Sequence, residues 1–141
     1  MSATLQVGVK AFLKNPEGKI LILERNASKY GKTVGPWDIA GGRINPGESL
    51  MENLEREVQE ETGLRITSEL RLIAAQDIMP DDMLHVVRLT YAAHTEGVVR
   101  LSAEHVSHRW VTFPELMEIE DLDVYAKELV TNHVLTEDSW R

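Results

Sequence analysis

The stretch "GGRINPGESLMENLEREVQEETGL", Gly41 to Leu64, constrains the fold of this chain more than any other. A glycine pair and an Asn-Pro-Gly turn lead into a run whose apolar residues, Leu50, Met51, Leu54 and Val58, form a helical stripe. Ser49 followed by Glu52 is a capping-box signature, and Gly63 suits the left-handed position that closes a helix. The spacing therefore predicts a helix over about Leu50 to Thr62. On it, Glu57, Glu60 and Glu61 fall within roughly one third of the circumference, at about 100° per residue. Like charges so placed repel by roughly 0.2–0.5 kcal/mol per pair. The cluster is either a solvated face or a set of ligands waiting for a cation.

Three carboxylates within one turn supply hard oxygen ligands of the kind Mg²⁺ and Mn²⁺ take. Arg56 immediately precedes the first of them. Its guanidinium fork can hold one carboxylate in orientation but cannot neutralise all three. Upstream, Ala40, Gly41 and Gly42 carry nothing larger than a methyl group. Bare backbone there can approach a metal or a phosphate closely.

The rest of the chain reads as strands around this helix. "LQVGVKAFL" (Leu5–Leu13) and "KILILE" (Lys19–Glu24) form a hairpin across the "NPEGK" turn. A polar, glycine-punctuated segment from Arg25 to Pro36 reads as a substrate-facing loop, and "WDIA" (Trp37–Ala40) as a short buried strand. "LRLIAA" and "MLHVVRLTYAA" (Met83–Ala93) are two more strands, separated by a turn around Pro80, Asp81 and Asp82. "HRWVTF" (His108–Phe113) is another, and Pro114 opens a helical turn, "PELM". An amphipathic helix covers about Asp123–Leu135 with Val124, Leu129 and Val130 on its apolar side, and the tail "TEDSWR" is expected to fray. No internal repeat, linker or low-complexity segment interrupts this order. Strands on either side of an internal helix, plus a C-terminal helix, give an α/β class with a mixed sheet covered on both faces.

With 141 residues the chain is expected to form one domain, spanning 1–141. Its net charge of −8 repels nucleic-acid backbones, so no nucleic-acid partner is expected. No apolar run approaches the ~20 residues a membrane span needs. There are no cysteines, which excludes disulfides and thiolate zinc sites and suits a reducing cytoplasm. No signal pattern is seen at the N-terminus, so a cytoplasmic location is the expectation. His85, His94, His105 and His108 lack zinc-protease spacing and read as structural or solvent-facing.

Gly42, five residues, Glu48, seven residues, then "REVQEETGL" (Arg56–Leu64) resembles the Nudix box. The pattern glycine–x5–Glu–x7–Arg-Glu-apolar-x-Glu-Glu-x-Gly-apolar is met at every specified position, and the flanking order of strands and helices is similar too. Asn53 and Leu54 stand where small residues often occur in the family, a difference that touches packing more than catalysis.

The resemblance implies an α/β/α sandwich around a mixed sheet. It also implies a pyrophosphohydrolase that cleaves a nucleoside diphosphate linked to another moiety, with Mg²⁺ or Mn²⁺ as cofactor. Carried onto this chain it makes Glu57, Glu60 and Glu61 metal ligands, with Glu57 a candidate base. The carbonyl of Gly41 joins the ligand set beside the box glycine Gly42, Arg56 orients a catalytic carboxylate, and Glu48 is structural or supports the ligands from behind. Glu104 matches a further acidic residue that many relatives carry, as extra ligand or base, against a plain loop glutamate. Arg25 matches a position that often contacts substrate phosphates, against an exposed strand-end arginine. Trp37 either stacks on a base or is buried in the core. The implied partner is a small nucleotide, and a homodimer is a further expectation because many relatives are dimers. Nucleoside triphosphates, oxidised purine forms included, compete as substrates with ADP-ribose, sugar nucleotides and dinucleoside polyphosphates; a non-catalytic nucleotide sensor is the rival from another class, and a purely structural domain with a solvated acidic helix is a third reading. Selection among these is expected to lie in Arg25–Pro36 and Pro80–Leu84.

Overall fold

The computed structural model describes residues 3–27 and 35–141. Strand β1 (Thr4–Lys14) is the axis of a mixed sheet. It turns at Asn15–Lys19, where the Asn15 side chain accepts from the amides of Glu17 and Lys19, and returns as β2 (Ile20–Arg25). After the short β3 (Trp37–Asp38), β4 (Ala40–Arg43) lies antiparallel to β1, with Lys10 opposite Gly41. Helix α1 (Leu50–Thr62) follows, then the two-residue β5 (Arg65–Ile66). Strands β6 (Arg71–Asp81) and β7 (Leu84–Glu96) form a long hairpin, and β7 runs parallel to β1 from Thr4↔Leu84 to Lys14↔His94. Strand β8 (His105–Val111) pairs with β2, ahead of α2 (Phe113–Glu118), α3 (Val124–Thr131) and a 3₁₀ turn, Glu137–Trp140.

Period-two alternation builds two cores on the two faces of this sheet. Val9, Ala11, Leu13, Leu21 and Leu23 pack against Leu54 and Val58 of α1. Their neighbours Phe12, Ile20 and Ile22 point the other way, towards Leu116, Leu129, Val130 and Trp140. Helices therefore cover both faces, the α/β/α arrangement expected from the sequence. Among the described residues no helix is long and apolar enough to cross a membrane.

Helix α1 begins and ends where its caps dictate. The Ser49–Glu52 capping box is present, and Gly63, at φ 73°, donates its amide to the Gln59 carbonyl. Its stripe is narrower than expected: Leu54 and Val58 are buried, but Leu50 and Met51 stand exposed in the first turn.

Several other expectations change. Strand β6 continues through Pro80 to Asp81, so the hairpin turn is tighter and later than the Pro80–Asp82 signal suggests. Strand β8 begins at His105, not His108. The last helix stops at Thr131 because His133 adopts a positive φ of 58° and the amides of Val134 and Leu135 both return to the Leu129 carbonyl. Val124 is exposed, while Leu129 and Val130 are buried.

The tail does not fray. Trp140 is buried, donates its indole N–H to the Phe12 carbonyl at 3.0 Å, and meets the Phe113 ring edge-on. The expectation of a structureless loop from Arg25 to Pro36 falls for the most part on residues 28–34, outside the described residues.

Candidate active site

A cavity of about 540 Å³ opens where α1, β4 and the segment before β8 meet the centre of the sheet. Glu57, Glu61 and Glu104 reach it together with Gly41 and Gly42. Gly41 is required by backbone geometry, and Gly42 leaves the space that the Glu57 carboxylate takes. Gly41 has φ 141°, and a Cβ there would lie 2.0 Å from the Val9 carbonyl oxygen across the sheet. A Cβ on Gly42 would lie 2.8 Å from a carboxylate oxygen of Glu57. Bare backbone is thus what lets α1 bring its acids against β4.

The acids are held differently. Glu61 is buried and accepts the Gly41 amide at 2.9 Å. Burial pushes its pKa up to about 8, against the pull of Lys10 and that amide, while Glu104 and Glu57 add to the rise. Burial likewise raises Glu57, opposed by Arg56, whose guanidinium donates to Glu57 at 3.2 Å. The same guanidinium reaches Asn53 at 3.0 Å, Glu60 at 3.3 Å and Glu48 at 3.4 Å. Glu60 is more than half exposed and does not line the cavity; in this arrangement it sits on the outer flank of α1, on Arg56.

Residues 100–105 are tied to the end of α1. The amides of Arg100 and Ser102 donate to the carbonyls of Thr62 and Glu61. Asn26, just after β2, donates its amide to the Glu104 carbonyl and its side chain to Ala103. Glu104 is therefore positioned by two neighbouring elements, with a carboxylate oxygen within 4.8 Å of one on Glu61. His105 follows it, buried, opposite Arg25 where the β2–β8 register slips. Burial, and then Lys10, lower the imidazole's pKa. Ligand atoms of Glu61, Glu104 and His105 lie within 4.8 Å of one another.

Arg25 is not an exposed strand end. It lines the cavity but is buried, bonded to Asp38 at 2.9 Å and Asp123 at 2.8 Å, with a further contact to the Gly35 carbonyl. Asp38 also takes Lys10 at 2.7 Å, and Asp123 takes Arg88 at 2.7 Å. Burial opposes ionisation of Asp38, but Lys10, Arg25 and Arg88 outweigh it and hold the carboxyl far below its usual range. Trp37 does not line the cavity; it is partly buried against the apolar core, with Arg109 over its ring at 5.6 Å. On β3 the side chain that turns to the cavity is that of Asp38.

Sequence reasoning missed Lys10, Asp38, Arg88, Asp123, Tyr125 and His105, all of which reach this cavity. Asp123 carried a signal as the N-cap of α3, where it accepts from Tyr125 and Ala126. Its ion pairs with Arg25 and Arg88 carried none, because those partners lie 98 and 35 residues away.

The residues present fit a hard divalent cation. Carboxylates crowd around a buried acid that Lys10 alone does not neutralise, and carboxylate and backbone oxygens are the donors such ions take.

A family model described as NUDIX domain matches residues 4–132. The MutT protein from Methanosarcina mazei is similar in structure, with a TM-score of 0.80 and 26% identity over 94% of each chain. The nucleoside triphosphatase NudI of Escherichia coli is 25% identical over 117 residues, 76% of this chain and 82% of that one. An octanoyltransferase of Myxococcus xanthus is 28% identical over 109 residues, 74% of this chain but 29% of that protein. The chain spans 20–29% of the length of the first three curated relatives that it matches.

Proposed function

Because this chain belongs to the NUDIX domain family, we propose that it is a metal-dependent pyrophosphohydrolase of nucleoside diphosphate derivatives, with nucleoside triphosphates, oxidised purine forms included, as the substrate class. The observation that carries this reading is the convergence of Glu57, Glu61 and Glu104 on bare glycine backbone inside one cavity. The substrate class is supported by the likeness to NudI, a nucleoside triphosphatase that pairs with most of this chain.

Glu57, Glu60, Glu61, Glu104 and the Gly41 carbonyl are the groups that would hold Mg²⁺ or Mn²⁺. The bound ion supplies charge cancellation on the phosphate oxygens and a more acidic water. What the chain itself does is position and move a proton. Arg56 keeps Glu57 oriented and favours its ionised form, so Glu57 is the group that would take the proton of the attacking water. Glu60, which lies outside the cavity on Arg56, would have to rotate off that guanidinium to join the site. Gly41 and Gly42 leave room for the phosphate chain. Lys10 and Arg25, braced by Asp38, are the fixed cations facing that chain.

The test is a product-resolved screen of nucleoside triphosphates, oxidised purine nucleotides, ADP-ribose and sugar nucleotides with Mg²⁺ and Mn²⁺. Turnover of triphosphates that vanishes in Glu57→Gln and Glu61→Gln is the expected result. A panel that binds but is never cleaved would move the chain to the sensor class.

A further inference from the structure

Glu61, Glu104 and His105 are unlike an ordinary cluster of acids, because one member is an imidazole with a buried, unpartnered ring nitrogen. His105 is 7% exposed and lines the cavity. Its Nδ1 is buried and has no hydrogen-bond partner among the described residues. A buried polar atom left so is costly, and native structures seldom tolerate one without a use. A ring nitrogen of the same residue stands within 4.8 Å of carboxylate oxygens on both Glu61 and Glu104.

The placement is built by the backbone. Ser102 hangs on the Glu61 carbonyl, and the amides of Glu104 and His105 turn back onto the side chain and carbonyl of Ser102. The register slip of β2 at Glu24 and Arg25 lies directly opposite His105. Bulges of this kind re-aim a side chain beside a site.

We propose that Glu61, Glu104 and His105 form a mixed nitrogen–oxygen metal site, and that the imidazole biases this chain towards transition-metal divalent ions such as Mn²⁺ and Co²⁺ over Mg²⁺. Mg²⁺ takes oxygen ligands and gains little from an imidazole, whereas first-row transition ions accept nitrogen readily. The inference rests on the proposed function for the presence of a metal and goes beyond it in naming His105 as a direct ligand.

The experiment uses the full chain without nucleotide. Pulsed electron paramagnetic resonance of bound Mn²⁺ should show modulation from a directly coordinated ¹⁴N, and His105→Phe should abolish it. Titration calorimetry should show Co²⁺ binding weakened by about 10-fold or more in His105→Phe, the scale on which metal sites respond to loss of a supporting group. Mg²⁺ binding should change by less than about threefold, since oxygen ligands carry it. Mn²⁺ bound without nitrogen coupling, or Co²⁺ bound equally by both proteins, overturns the inference while leaving the metal-dependent reading in place. No saturable binding of Mg²⁺ or Mn²⁺ to the wild type overturns both. Should His105→Phe fail to fold, the nitrogen signal of the wild type decides alone.

Discussion

The Glu57 carboxylate occupies the space that a side chain on Gly42 would need, with an oxygen 2.8 Å from the ideal Cβ position. Gly42 is therefore a steric gauge for the helix acid and more than a flexible link. Glu57 is itself flexible, so Gly42→Ala should fold and displace the carboxylate. A loss of about 100-fold in kcat/KM is expected, the scale of a 1 Å misplacement. Combined with Glu57→Gln, the loss should be far from additive, because both changes act on one group. Equal, independent losses in that double-mutant cycle would contradict the steric coupling.

Glu61→Gln should separate stability from activity. Without metal, the wild type buries a carboxyl that burial disfavours as an anion, and glutamine keeps the acceptor for the Gly41 amide. Denaturation in the presence of a chelator should show the variant more stable by about 1–3 kcal/mol. Millimolar Mg²⁺ should raise Tm in the wild type by mass action and leave the variant almost unmoved. A variant that gains as much from Mg²⁺ as the wild type would remove Glu61 from the ligand set.

Asp38 governs the acid limb of stability. Its folded pKa lies below its ordinary 3.8, so its contribution is complete above that value. As pH falls through and below 3.8 the unfolded chain takes up the proton first, and stability drains away. Asp38→Asn should cost about 3–5 kcal/mol at neutral pH, because Lys10 and Arg25 lose a buried counter-charge. It should also flatten the acid slope. Urea denaturation across the acid range tests both, and an unchanged slope in the variant would reassign the effect to another carboxyl.

Trp140 pins the end of the chain to the centre of the sheet. Its indole reaches the Phe12 carbonyl, and Lys14 lies 4.2 Å from its ring centre. Trp140→Ala should lower stability by about 3–5 kcal/mol, the range for truncating a buried aromatic. Activity per folded molecule should hold, since Trp140 does not line the cavity. Urea denaturation and kcat at low temperature check the two halves of this expectation.

What the sequence disclosed and what it hid follow one physical division. Local signals were readable: the capping box of Ser49 and Glu52 and the terminating Gly63. That Glu57 and Glu61 share one helix and one cavity was readable because they lie on one element, whereas Glu60 lies outside that cavity. Glu104 was legible through resemblance. The ion pairs among Lys10, Asp38, Arg25, Asp123 and Arg88 were not, since they join residues from four separate strands and a helix cap. His105 was read as structural or solvent-facing because no spacing rule anticipates that the first residue of β8 is brought beside Glu61 and Glu104 by contacts to a helix end. Trp140 misled for the opposite reason, as a polar-looking tail hid one anchoring ring.

The tether from Thr62 and Glu61 to Arg100 and Ser102 has a consequence for how such a protein can change over time. It welds the acid-bearing segments into one mechanical piece, while Ile78, Pro80 and Val86 of the β6–β7 hairpin border the cavity from outside that piece. Mutational drift in the hairpin can reshape what is admitted while the welded piece keeps its geometry, so new preferences can be explored without dismantling the chemistry beneath them.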